Sequence, residues 1–205
     1  MYGQKHAATT MRAIPDCGIQ ARMNARSVTT LCSLLLVACN GAPTEPTDDG
    51  VPAAVRALGV RNLRSPMPNV YTAGQPTEEQ LAALSDLGVR RVVHLRLATE
   101  NGTGWEEQKA PELRVDFVRL PINGTDGLSL NNVRTFAATL AEGRGQPTLV
   151  SCGSSNRVGA LFALKAYWLD GKTPEEALQI GKDAGMTRME EPVRALLQEP
   201  RPEPR

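Results

Sequence analysis

The stretch that most narrows what this chain can fold into is Pro147–Leu169, PTLVSCGSSNRVGALFALKAYWL: a short apolar run, a corner of small residues, then a segment that is apolar almost all round. Residues 158–169 lack a polar face, as expected of a central helix packed on several sides. The rest of the chain repeats this strand-then-helix alternation. NVYTAG (69–74) reads as a short strand, and the helix after it opens at Thr77 with Gln80 three residues on, a capping-box spacing, and Leu81 and Leu84 on one face. VRRVVHLR (89–96) and RVDFVRLPI (114–122) are strand-like in their β-branched content and alternation. A helix follows from about Ser129, where Val133, Phe136, Ala137 and Leu140 recur at i, i+3, i+4 and i+7. Thr173-Pro174-Glu175-Glu176 opens another with a cap, a first-turn proline and an acidic first turn, and a last helix is expected near 187–198. The expected architecture is a three-layer α/β domain over residues 55–198, with a mainly parallel sheet flanked by helices. Ligands in such sheets sit beyond the carboxyl ends of the strands, where Cys152 falls.

The N-terminus reads differently. In MNARSVTTLCSLLLVACNG (23–41), Arg26 precedes an apolar run from Val28 to Ala38. That is the order of a secretory signal, and it falls short of the roughly 20 apolar residues a membrane span needs. Leu36-Val37-Ala38-Cys39 resembles the lipobox of bacterial lipoproteins. The resemblance implies cleavage before Cys39, lipid attached to Cys39, and a place on the periplasmic side of a bacterial membrane; a plain signal peptide cut near Cys39 is the alternative. Residues 1–38 are then a leader, with Met11 or Met23 as alternative starts. Residues 39–54, rich in Pro, Gly, Thr and Asp, read as a flexible tether, and residues 199–205 as a disordered tail.

Losing the leader would remove Cys17, Cys32 and His6. With Cys39 acylated, Cys152 is the only free thiol left and has no partner for an intramolecular disulfide. His94 becomes the sole histidine. One thiol and one histidine cannot supply the usual metal-ligand sets or a Ser-His-Asp site, so no metal and no other cofactor is expected. A net charge of +1, from 23 basic and 22 acidic residues, with 4% aromatic content, gives neither a polyanion-binding surface nor stacking platforms. Nucleic acid is therefore not an expected partner.

The corner itself has two readings. One is a buried, inert cysteine at a tight strand-to-helix turn. The other is chemical. Backbone N–H groups of Gly153, Ser154, Ser155 and Asn156, with the helix N-terminus behind them, form an anion nest, and the same field favours a thiolate at Cys152. Arg157 presents a planar fork to the oxygens of a tetrahedral anion. These are the parts of a cysteine nucleophile that attacks phosphorus.

NVYTAGQPTEEQLAALSDLGVRRVVHLR, followed by VDFVRLPI and PTLVSCGSSNRVGAL, resembles the beta-lactamase-hydrolase-like domain family, a branch of the protein tyrosine and dual-specificity phosphatase superfamily. The resemblance covers roughly residues 60–170. It rests on the Gly74-Gln75-Pro76 turn, the strand ending Leu95-Arg96 with Glu100 after it, and the Cys152 to Arg157 loop. It implies a phosphatase-like α/β fold, with Cys152 as nucleophile and Arg157 as phosphate clamp on a phosphorylated substrate. Three positions depart from the superfamily pattern. Four residues rather than five separate Cys152 from Arg157, as in related members of the branch and in the six-residue loops of rhodanese-like sulfurtransferases. Ser151 stands where a histidine commonly precedes the cysteine. Ser155 stands where the shorter loops often have glycine, which opposes a left-handed backbone there.

Such a phosphatase also needs a general acid. Asp126, in the loop after a strand, is the first candidate, with a plain turn beside Gly127 as its alternative role; Asp116, inside a strand, is weaker. Arg96 and Glu100 either line the pocket or form a surface ion pair. His94, Trp105 and Trp168 read as structural. Three functions stay open: a phosphate-monoester hydrolase working through a thiophosphoryl-cysteine, a sulfurtransferase or persulfide carrier, and a domain that binds an anion or partner without catalysis.

Overall fold

A computed structural model describes residues 49–202. The leader, Cys39 and most of the expected tether lie outside the described residues. Five strands, β1 (Arg64–Met67), β2 (Val70–Gly74), β3 (Arg91–His94), β4 (Asp116–Arg119) and β5 (Thr148–Cys152), form one sheet in the order β1-β2-β5-β3-β4. Strand β1 runs antiparallel to β2; every other pairing is parallel. The strand that ends in Cys152 is central, and each of its residues is buried.

Alternation along β5 sends side chains into two cores. Val150 and Cys152 join one, built with α4 (Leu130–Glu142), α5 (Asn156–Trp168), α6 (Pro174–Asp183) and α7 (Glu190–Gln198); Leu149 joins the other, with α1 (Ala53–Arg56), α2 (Glu78–Asp86) and α3 (Trp105–Lys109). This is the three-layer, mainly parallel arrangement expected. The expected caps form as well: Thr77 and Thr173 each make a full capping box, and Ser129 accepts from the Asn132 N–H. Helix α5 crosses α6 at a pair of glycines. A Cβ on Gly159 would stand 2.4 Å from the Gly181 carbonyl oxygen and 2.5 Å from the Met186 nitrogen. That close approach brings the segment after α6 onto the start of α5.

The boundaries need correction. Ordered chain begins before residue 55, because Val51 is fully buried beside Val55 in the α1–α3 core. Two apolar anchors hold a stretch whose average composition is polar. At the other end, Arg201 stacks 4.7 Å from the Tyr167 ring centre and donates to the Lys172 carbonyl, so the tail begins docked on the α5 side. Strand β1 has no alternation to betray it; it forms an edge, where the missing N–H of Pro66 is tolerated. Helix α7 starts at Glu190 rather than near 187, because residues 184–189 are tied to the cysteine loop.

Candidate active site

Cys152 closes β5 opposite Gly74 and lines an open cleft of about 500 Å³ at the carboxyl end of the sheet. Gly153, Ser154, Asn156 and Arg157 line the same cleft. The cysteine is a free thiol and only 1% exposed, so its surroundings are the core on one side and the cleft on the other. Among the described residues, no backbone N–H from Gly153 through Arg157 donates to a protein acceptor. Helix α5 begins within this loop and adds the positive end of its dipole. Unclaimed amides, a helix N-terminus and an arginine in one place suit an anion.

Ser155 does adopt the left-handed conformation that its side chain opposes, at φ 66°. Tertiary contacts hold it there. Its buried hydroxyl donates to the Ala184 carbonyl at 2.9 Å, and Gly185 leaves room, since a Cβ there would come within 2.6 Å of Ser155 Oγ. Asn156 works in the same direction. Its amide oxygen accepts from Thr187 N (2.9 Å), Thr187 Oγ1 (3.1 Å) and Met189 N (3.3 Å), while its Nδ2 donates to Ser154 Oγ at 3.1 Å. The side chains of Ser155 and Asn156 are thus committed to the α6–α7 connection, and what these residues offer an anion is the backbone expected of them. Asn62, which sequence reasoning missed, joins the same seam by donating to the Ser154 and Gly185 carbonyls.

Arg157 is anchored from the neighbouring strand. Its Nη1 and Nη2 grip Glu100 in a bidentate pair at 2.6 and 2.9 Å, and Nη1 also donates to the Ile122 carbonyl at 2.9 Å. The guanidinium therefore spends one edge on Glu100. Its other edge, free of Glu100, faces the Cys152 thiol, and Nη2 lies 3.8 Å from where a Gly153 Cβ would stand, beside the loop. The hydrogen bond from Arg157, helped by a second from Arg96 Nε at 2.9 Å, holds the Glu100 carboxyl down to about 2. Glu100 in turn raises Arg157 above the usual arginine range. Arg96 and Glu100 are therefore parts of the site, and Glu100, ionised and doubly paired, is no proton donor.

Beneath this lies a buried polar layer that the sequence did not reveal. Ser151 Oγ sits 2.8 Å from His94 Nδ1, on the sheet face away from Cys152. Burial, and then the positive charges of Arg119, Arg96 and Arg157, push the His94 pKa down to about 3. His94 is neutral at ordinary pH, so its 3.6 Å contact with Glu106 is not an ion pair. Glu106, 1% exposed, accepts from Gln75 Nε2 (2.7 Å) and Gly104 N (2.8 Å). Gln75 also accepts from Arg96, which links this layer back to Glu100 and Arg157. The Gly74-Gln75-Pro76 turn thus has a use in the site: Gln75 braces it.

Asp126 is not brought into the cleft. It is exposed, in a turn where Gly127 N bonds to the Asn123 carbonyl, and Asn123 and Gly124 line the cleft in its stead. Asp116 pairs with Arg91 at the amino end of the strands, away from Cys152. Among the described residues no group of three His, Cys, Asp or Glu is arranged to hold a metal ion.

Comparison with solved structures gives the same fold. A DUF442 protein of Shewanella putrefaciens, described as a phosphatase, superposes with a TM-score of 0.55 at 19% identity, covering 68% of this chain and 92% of its own. A protein of Neisseria meningitidis, also described as a phosphatase, gives 0.53 at 18%, covering 63% and 94%. P. aeruginosa TpbA, solved in complex with pTyr, gives 0.50 at 20%, covering 69% and 85%. No curated protein sequence matches the chain. The superfamily expected from residues 60–170 is the one found, and the family within it is specific: residues 61–193 match the family described as DSP-PTPase phosphatase fused to NAD+ kinase, and the chain belongs to that family.

Proposed function

We propose that this protein hydrolyses phosphate monoesters, with Cys152 as the nucleophile. The observation that carries the reading is the convergence of the Cys152 thiol, the unclaimed N–H groups of Gly153–Arg157 and the anchored Arg157 on one cleft. In the first step the Cys152 thiolate attacks phosphorus, the ester P–O bond breaks, and the leaving alkoxide takes a proton from a general acid. In the second, water attacks the thiophosphoryl group while its proton passes to the carboxylate left by the general acid, the S–P bond breaks, and inorganic phosphate leaves as the thiolate is restored. The loop amides and the free edge of Arg157 stabilise the equatorial oxygens in both steps. Asp126 is the proposed acid. It shares the 123–127 turn with Asn123 and Gly124, which line the cleft.

A sulfurtransferase remains the second reading, favoured by the four-residue spacing from Cys152 to Arg157. Comparing p-nitrophenyl phosphate hydrolysis with thiosulfate-to-cyanide transfer, in the native protein and in Cys152→Ser, separates the readings. Phosphate release lost in Cys152→Ser supports the hydrolase; sulfur transfer lost instead supports the carrier. If neither rate responds, the domain binds an anion without turning it over. Export with lipid on Cys39 is proposed alongside, from the lipobox resemblance: palmitate labelling is expected to vanish in Cys39→Ala, and label that persists rejects it.

A further inference from the structure

The cleft holds a second arginine that the proposed chemistry does not use. Arg188 lies in the segment between α6 and α7, is exposed, and lines the cleft with Cys152, Gly153 and Ser154. The two guanidiniums differ in what they hold. Arg157 is locked to Glu100 and a backbone carbonyl, whereas Arg188 has no carboxylate partner among the described residues; its Nη2 lies 3.5 Å from Ser154 Oγ. A cation beside an anion site, with no protein anion to neutralise it, is suited to charge on a ligand.

Its placement is built rather than incidental. The residues on either side of Arg188 are both bound to the Asn156 amide oxygen, Thr187 through its N–H and hydroxyl and Met189 through its N–H. Two residues before Thr187, the Gly185 carbonyl is held by Asn62 at 2.8 Å, and the Ala184 carbonyl by Ser155 at 2.9 Å. The loop that grips the first anion therefore also sets the backbone that presents Arg188. Ser154 Oγ stands between them, accepting from Asn156 Nδ2 at 3.1 Å with Arg188 Nη2 at the edge of reach, which leaves its own hydrogen to donate.

We propose that Arg188 and the Ser154 hydroxyl form a second anion subsite, and that the preferred substrate is a phosphate monoester carrying another phosphate close to the scissile one. This rests on the hydrolase reading for the first anion but is tested apart from it. The full chain with Cys152→Ser is titrated calorimetrically with inorganic phosphate and with methylenediphosphonate, whose second phosphonate cannot be hydrolysed off. Methylenediphosphonate is expected to bind at least about tenfold more tightly, and adding Arg188→Ala is expected to cut that advantage by about tenfold, the scale of one charge-assisted hydrogen bond. Arg188→Lys, which keeps the charge but not the fork, is expected to fall between. No advantage before the arginine is removed, or an advantage that stays within about twofold after Arg188→Ala, overturns the subsite; equal weakening of both ligands does the same, because it assigns Arg188 to the first anion. Failure of the hydrolase reading looks different: the native protein releases no phosphate from p-nitrophenyl phosphate, or the Cys152→Ser chain binds neither ligand.

Discussion

Two loops leave the carboxyl ends of the adjacent strands β5 and β3, and they build their halves of the site by opposite means. The loop after β5, Gly153–Ser155, offers an anion its backbone, while the buried Ser155 hydroxyl fastens the segment after α6. The loop after β3 works almost wholly through side chains: Glu100 grips Arg157, and Glu106 of the following α3, bound by Gln75 after β2, supports the layer below. The first arrangement centres on one tight turn and depends on backbone geometry. The second joins residues 21 to 57 positions apart and depends on charge. Geometry and charge fail differently, so the two halves can be broken separately.

Arg157→Lys attacks the point where they meet. It removes both the bidentate grip on Glu100 and the free edge, and should lower kcat/KM for p-nitrophenyl phosphate by about 10²–10³-fold, the usual worth of a preorganised oxyanion donor. A loss under about tenfold would mean that the amides alone stabilise the reaction. Asp126→Asn should lower kcat by about 10²-fold for esters with poor leaving groups and much less for p-nitrophenyl phosphate, which needs little protonation. Equal rates with both ester types would return Asp126 to a turn role.

Glu100→Gln tests the charge-based half. It should reduce kcat by about tenfold through a loosened Arg157. It also carries a pH signature. The Glu100 pKa is depressed from 4.5 to about 2, so the pairing stabilises the fold fully above about pH 4.5 and is lost as pH falls toward 2. The melting-temperature gap between the native protein and Glu100→Gln should therefore narrow on acidification through that window; a constant gap would show that the pair contributes no charge-dependent stability. Ser155→Ala tests the backbone half and has the smallest expected effect. It leaves the Ala184 carbonyl without its buried donor, at a cost of about 1–2 kcal/mol by chemical denaturation. An unchanged midpoint would show that the left-handed turn needs no such tether.

The same contrast explains what could be read from the chain. The spacing of Cys152 to Arg157 between a strand and an apolar helix is local, and it led directly to the sheet, the central helix and the site's position. Glu100 was legible as a candidate to line the pocket beside Arg96; its grip on Arg157 needs the crossover that sets β3 beside β5. Ser155 looked like an obstacle because glycine is the simple solution at positive φ, and nothing near it in sequence announces the Ala184 carbonyl 29 residues on. The pairing of Ser151 with His94 was hidden for the same reason: each is unremarkable alone, and only parallel register places them side by side. Asp126 followed a loop position rather than a contact, and its turn faces solvent.

The central claim, that Cys152 carries the phosphoryl group, is tested most directly by acid-quenching the protein within milliseconds of mixing with p-nitrophenyl phosphate and mapping phosphate by mass spectrometry. The account predicts phosphate on the peptide containing Cys152 and on no other, absent from Cys152→Ser. Hydrolysis that proceeds with no phosphocysteine, or that survives in Cys152→Ser, would contradict it.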